Sequence, residues 1–191
     1  VSARLLTNIE SGVGKLLSGV PGSGNCSAFI IGGGTVGLNA ATALMGAGAD
    51  VTVADINLDR IREIDTLTNG HVKTIYPTPA VLAEKVQRSE VVVGAVLVPG
   101  AKAPKIVSRD MVKDMMPGGV IIDVAIDQGG CIATSQETTH RDPTVTIHGV
   151  QHYAVGNMPG AVPFTSTEAL VSVTLPYILG IAGRGLEEAV T

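Results

Sequence analysis

The run Ser27-Ala-Phe-Ile-Ile-Gly-Gly-Gly-Thr-Val-Gly37 sets Gly32, Gly34 and Gly37 at the spacing G-x-G-x-x-G, and Asp55 follows eighteen residues later at the end of Asp50-Val-Thr-Val-Ala-Asp55. Glycines so spaced can bind phosphate without side chains. The first permits a tight turn, the second lets a diphosphate approach the backbone, and the third lets the next helix pack against the strand. Thr35 and Val36 open that helix, whose unpaired N–H groups and positive dipole end offset phosphate charge. The Asp55 carboxylate accepts hydrogen bonds from ribose hydroxyls and repels a 2′-phosphate, so the pattern favours NAD over NADP. The competing reading is a glycine turn beside a solvated Asp. A bare spacing means little in a chain with 24 glycines among 191 residues; the flanking strand and helix, and the second strand ending in an acid, give it meaning.

Arg60, one turn beyond Asp55, can lie along an adenine or pair with Asp55. Asp127, in Ile126-Asp-Gln-Gly-Gly130, could orient a protonated amine or a catalytic imidazole. On its own spacing it reads equally well as a turn residue capping local N–H groups. Lys102 could approach the cofactor or be solvated. His71, His140, His148 and His152 read as structural or solvated, and Met111, Met115 and Met116 as core filling at helical spacing.

Short β-branched runs alternate with helical patterns, which predicts an α/β fold of the Rossmann type: a doubly wound, mainly parallel sheet of about six or seven strands with helices on both faces. The strands are expected at 28–31, 51–54, 71–75, 91–97, 120–125, 145–147 and 152–155. Helices are expected at 36–47, 57–67, 79–88, 108–116 and 166–179, with Asn57 and Ser108 as N-caps and Pro176 kinking or ending the last. In such a sheet ligands sit beyond the carboxyl ends of the strands, where strand order reverses. The loops at 32–37, 55–60, 97–104, 126–130 and 156–163 are therefore the places for function.

The composition narrows the partners. Thirteen basic and 17 acidic residues give a net charge of −4 with no basic cluster, so no footprint for nucleic acid or an anionic membrane is present. Cys26 and Cys131, far apart and outside any C-x-x-C pair, argue against a disulfide framework or a zinc site; no metal is expected, and a cytoplasmic, reducing setting is. The mean hydropathy of +0.37 is high and 16–49 carries no charge, yet Pro21, Asn25 and many glycines interrupt it, so no membrane span is expected there. No signal peptide is read. The opening Val1-Ser-Ala-Arg-Leu-Leu-Thr-Asn-Ile-Glu10 reads as an amphipathic helix with Leu5, Leu6 and Ile9 on one side, as if cut from something longer.

Three loops carry a resemblance. Val96-Leu-Val-Pro-Gly-Ala-Lys-Ala-Pro104, Asp123-Val-Ala-Ile-Asp-Gln-Gly-Gly130 and Asn157-Met-Pro-Gly-Ala-Val-Pro163, followed by Thr165-Ser-Thr167 and Thr174-Leu-Pro-Tyr177, closely resemble the bacterial alanine dehydrogenase family over nearly the whole chain. The resemblance implies hydride transfer between L-alanine and a nicotinamide ring, giving pyruvate and ammonia. It places Asp127 beside the nicotinamide as a catalytic residue, working with a histidine from another domain. It also places Thr35, Asp55, Arg60, Val96, Leu97, Val124, Ile126, Asp127, Val155, Asn157 and Met158 along the cofactor cleft. Such enzymes bind substrate on a second domain and assemble as hexamers. Residues 1–191 are thus expected to be one NAD-binding domain, with 1–25 and 166–191 as helical segments joining an absent substrate domain. The chain is then expected to bind NAD(H), to meet L-alanine or pyruvate only with that domain, and to self-associate. Gln136 and Phe164 stand where the family carries basic residues. The alternatives are the nucleotide-binding component of a proton-translocating transhydrogenase, whose relatives lack the Ile-Asp-Gln-Gly-Gly form, and a non-catalytic NAD-binding module.

Overall fold

The computed structural model describes residues 1–98 and 100–186; Pro99, inside the 97–104 loop, and 187–191, the end of the C-terminal segment, lie outside the described residues. The chain divides into two compact units, Val1–Gly156 and Asn157–Thr191.

In the first unit, seven strands form one sheet in the order β3-β2-β1-β4-β5-β7-β6. They are β1 (Ser27–Ile31), β2 (Asp50–Ala54), β3 (Lys73–Ile75), β4 (Val91–Gly94), β5 (Val120–Asp123), β6 (Thr144–Ile147) and β7 (Val150–Tyr153). All neighbours pair in parallel except β6, which runs antiparallel to β7 at the edge. His148 and Gly149 both take positive φ (55° and 78°) in the two-residue turn of that hairpin, as a tight turn matched to strand twist requires. The chain runs outward from β1 through β2 to β3, then returns to the other side of β1 as β4. That reversal opens a crevice between the carboxyl ends of β1 and β4.

The continuously apolar strands are buried on both faces, as parallel strands are. Ala28, Ile30, Val51, Val53, Val91 and Val93 join one core with Ala41 and Leu44 of α2 (Thr35–Gly46). Phe29, Ile31, Ala54, Val92 and Ile121 face the other, with Val86 of α4 (Pro79–Arg88) and Val112 of α5 (Arg109–Lys113). Alternate residues of one strand thus feed opposite cores. Between β2 and β3 lies α3 (Leu58–Leu67), capped by Asn57, whose side chain accepts the Asp59 and Arg60 N–H groups; Ser108 caps α5 by accepting from Met111.

Several expectations change, β3 and β7 among them, which run over Lys73–Ile75 and Val150–Tyr153. Strands β4 and β5 stop at Gly94 and Asp123, short of Leu97 and Ala125. Met116 is half exposed while Met115 is buried, because α5 ends at Lys113 and the next residue turns off the packed face. Residues 1–25 are helical only over α1 (Ser2–Leu5) and a 3-10 turn at Asn8–Glu10. Leu5 and Leu6 enter the core, the Leu5 carbonyl accepts from Gln151 Nε2 at 2.9 Å, and Lys15 pairs with Glu90 at 2.8 Å. Ile9, beyond the single turn of α1, is 93% exposed rather than sharing the face of Leu5 and Leu6.

In the second unit, a 3-10 turn (Met158–Ala161) leads into α6 (Pro163–Arg184), longer at both ends than expected. Pro163 sits in its first turn, where a missing N–H is harmless, and the helix passes through Pro176 without ending. Among the described residues, α6 is the one helix long and apolar enough to cross a membrane by length and composition.

His152 of β7 is fully buried. Its Nδ1 faces the Val150 carbonyl at 3.0 Å and its Nε2 the Thr134 hydroxyl at 2.7 Å. A carbonyl only accepts, so Nδ1 carries the proton and Nε2 accepts from Thr134. Burial, the largest influence, holds this imidazole below its ordinary value of 6.5. The unfolded chain therefore takes up a proton that the folded chain resists, so the stabilisation is complete above about 6.5 and declines as pH falls below it. The urea midpoint is expected to drop between about pH 7.5 and pH 5.5. His152→Phe should flatten that slope, and an unchanged slope in the variant would place the titration elsewhere.

Candidate dinucleotide site

The site is built where β1, β2, β4 and β5 end. Gly32 takes a φ of 98°, and a Cβ there would lie 2.6 Å from the Ala95 carbonyl oxygen. Such a position admits only glycine. A Cβ at Gly37 would lie 1.8 Å from the Gly32 carbonyl oxygen, so α2 rests directly on the turn. At Gly34 a Cβ would meet nothing within 4 Å. Two of the glycines are therefore demanded by the protein's own packing, while the space over Gly34 is open. No side chain caps α2, whose N-cap is Gly34. An open approach to an uncapped 12-residue helix fits a diphosphate.

Asp55 ties the turn to β2. Its Oδ2 accepts the Gly33 N–H at 2.6 Å and its Oδ1 accepts the Asn57 N–H at 2.8 Å. Each oxygen keeps a further lone pair, enough for two ribose hydroxyls. Arg60 donates from Nε to the Gly33 carbonyl and from Nη1 to Glu63. It thus braces the turn instead of pairing with Asp55. Gly33, which sequence reasoning passed over as the variable position of the motif, is the residue on which both side chains converge.

The residues just past the shortened strands form a cavity. About 230 Å³ is enclosed by Val36, Ala95, Val96, Leu97, Val124, Ala125, Asp127 and Gln128. A second, of about 410 Å³, is bordered by Gly100, Ala101, Lys102, Asp127, Gln128 and Gly129. Of the expected residues, Val36, Val96, Leu97, Val124 and Asp127 therefore meet at one cavity. Thr35 is exposed at the start of α2. Ile126 and Val155 have buried side chains and border neither cavity, so any contact they make with a ligand there runs through the main chain. Asn157 and Met158 belong to the second unit.

Asp127 is exposed on the 3-10 turn Val124–Gln128 that follows β5. The loop is closed at its base by Asp123, whose fully buried carboxylate accepts the N–H groups of Cys131 (3.2 Å) and Ile132 (3.1 Å). On the outside, Ala103 N–H donates to the Gln128 carbonyl at 3.0 Å and Lys105 donates to the Gly129 carbonyl. Asp123 lies inside the otherwise apolar run expected as the strand 120–125. A charged residue inside such a run was the signal, since a buried carboxylate must find donors.

Burial first, then the nearby Asp123 charge, pushes the Cys131 thiol up to about 12; burial and then Glu90 do the same to Cys26. Both stay protonated at neutral pH, which removes thiolate chemistry from the site. Native protein should accordingly resist iodoacetamide at about pH 8 and take up two equivalents once unfolded, read by mass spectrometry; fast labelling of folded protein would contradict this. Among the described residues, no group of three or more His, Cys, Asp or Glu side chains could hold a metal ion.

A family model described as alanine dehydrogenase/PNT, C-terminal domain, matches residues 1–191. Alanine dehydrogenase 2 of Staphylococcus aureus is 53% identical over 190 residues, covering 99% of this chain and 51% of its own length. Alanine dehydrogenase of Halomonas elongata is 50% identical over 187 residues, covering 98% and 50%. Among solved structures, an L-alanine dehydrogenase superposes with a TM-score of 0.93 at 45% identity, covering 97% of this chain and 52% of that one. A transhydrogenase from Sinorhizobium meliloti shares the fold, with a TM-score of 0.78 at 22% identity over 90% of this chain and 50% of that one. The chain spans about half the length of the curated relatives it matches. With its whole length under the family model, the chain belongs to the alanine dehydrogenase/PNT C-terminal domain family, and its cofactor is NAD.

Proposed function

We propose that the chain is the NAD(H)-binding half of an L-alanine dehydrogenase that interconverts L-alanine with pyruvate and ammonia in the cytoplasm, as an oligomer. The observation that carries this reading is the Asp55 carboxylate, which locks to the end of β2 the glycine turn that leads from β1 into α2, a helix whose N-terminus no side chain caps. The resemblance of the 96–104, 123–130 and 157–163 loops supports the choice of substrate.

Bound NAD would supply the hydride acceptor. The chain's own residues do the rest of what this half contributes. Asp55 selects the unphosphorylated ribose by two hydrogen bonds and by repelling a 2′-phosphate. Gly32, Gly34 and Gly37, with the first N–H groups of α2 at Thr35 and Val36, hold the diphosphate, and Arg60 keeps the turn in place. Val96, Leu97 and Val124 exclude water around the nicotinamide, which strengthens every charge interaction there. Asp127, at the edge of both cavities, holds a cationic partner, either the substrate amine or an imidazolium from the absent half. Ile126 and Val155 act by main chain. Among the described residues none is assigned to the substrate methyl group, and these residues by themselves are expected to bind cofactor without turning over.

Calorimetry tests the reading. NADH should bind with a dissociation constant in the micromolar range and NADPH at least about tenfold more weakly, one ribose charge clash corresponding to roughly 1.4 kcal/mol or more. Equal affinities would remove the role given to Asp55. Alanine oxidation that remains absent after the other half is restored would leave a binding module instead of an enzyme.

A further inference from the structure

Gln128 closes the 3-10 turn beside Asp127 and borders both cavities. Its side-chain oxygen Oε1 is buried and has no hydrogen-bond partner among the described residues. Among the described residues the one other such atom, Ser135 Oγ, borders neither cavity. A buried amide oxygen with no donor is costly, and native proteins rarely keep one without a use. Its main chain is already committed, since the carbonyl accepts the Ala103 N–H at 3.0 Å. The side chain is therefore held at the cavity wall with its acceptor unspent.

The ligand group that answers it must carry an N–H donor. The apolar part of the smaller cavity's lining, Val36, Ala95, Val96, Leu97, Val124 and Ala125, receives a neutral ring at little cost but an ammonium only at heavy cost. An ammonium belongs instead at the neighbouring Asp127 carboxylate. A neutral, flat ring bearing a primary amide fits both demands, because one amide pairs with another through N–H to C=O in either direction.

We propose that Gln128 recognises the carboxamide of the nicotinamide ring and so fixes which way the ring lies in its cavity. The inference rests on the dinucleotide reading above. It divides the two residues at the loop apex between neutral and charged ligand groups.

The test is calorimetry on this chain with NADH and with its 3-acetylpyridine analogue, in which a methyl ketone replaces the carboxamide and no N–H remains. Gln128→Met and Gln128→Leu are compared with the unaltered protein, two variants so that a packing fault in one does not decide the matter. The unaltered chain should bind NADH about five- to tenfold more tightly than the analogue, and both variants should erase that difference by weakening NADH alone. Equal losses for both dinucleotides, or no loss for either, overturn the assignment. If the unaltered chain binds neither dinucleotide, the dinucleotide reading itself fails and this one with it.

Discussion

Replacing Gly37 by alanine is expected to lower stability by about 3 kcal/mol, or roughly 6–12 °C in Tm for a chain of this size. The added methyl would sit 1.8 Å from the Gly32 carbonyl oxygen and 3.5 Å from Ile30 Cγ2. No rotamer change relieves a clash between a Cβ and a backbone atom, so α2 must lift off β1. The cores fed by Ala41 and Leu44 then loosen with it. Gly34→Ala is the matched control, because a Cβ there meets nothing within 4 Å. That variant should keep its Tm within about 2 °C while losing at least about tenfold in NADH affinity, since the methyl occupies the space a diphosphate needs. The reverse pattern, with Gly34→Ala unstable and Gly37→Ala tolerated, would mean that the turn is arranged differently.

Asp55→Ala is expected to weaken NADH binding by about 10- to 100-fold and to bring NADH and NADPH within roughly threefold of one another. Two effects combine. The ribose loses a charged acceptor for its hydroxyls, and the 2′-phosphate loses the charge that repels it. The Gly33 and Asn57 N–H groups also lose their acceptor, so the turn that holds the diphosphate relaxes and affinity for both dinucleotides falls. Asp55→Asn separates the two, keeping one acceptor oxygen while removing the charge. Its preference should collapse with a smaller loss of NADH affinity. Retention of the full NADH preference in either variant would assign selectivity to another residue.

The sheet was legible because parallel strands buried on both faces are largely apolar, as Ala28–Ile31 and Val91–Gly94 are, with Thr52 the one polar residue in Val51–Ala54. Strand ends were not, for a physical reason: Val96, Leu97, Val124 and Ala125 are as apolar as the strands they follow. They serve a cavity wall instead of a sheet, and hydrophobicity alone does not distinguish a wall from a core. The glycine turn and Asp55 were legible from spacing. The bracing of Gly33 by Arg60 was not, because its recipient is a main-chain carbonyl with no signature of its own. Asp123 and Gln128 lay within quoted motifs and were passed over for Asp127, which the resemblance placed beside the nicotinamide. The first 25 residues misled in another way: Leu5 and Leu6 do pack inward, but a single turn of helix is enough to put them there.

The clamp at Asp123 has a consequence for how such a site changes over generations. Because the carboxylate that closes the loop is carried by β5, the placement of residues 127 and 128 is inherited in good part from the sheet. Codons at the apex are then free to be rewritten while their address is conserved. New specificities can be sampled there one substitution at a time, with the scaffold unaltered beneath them.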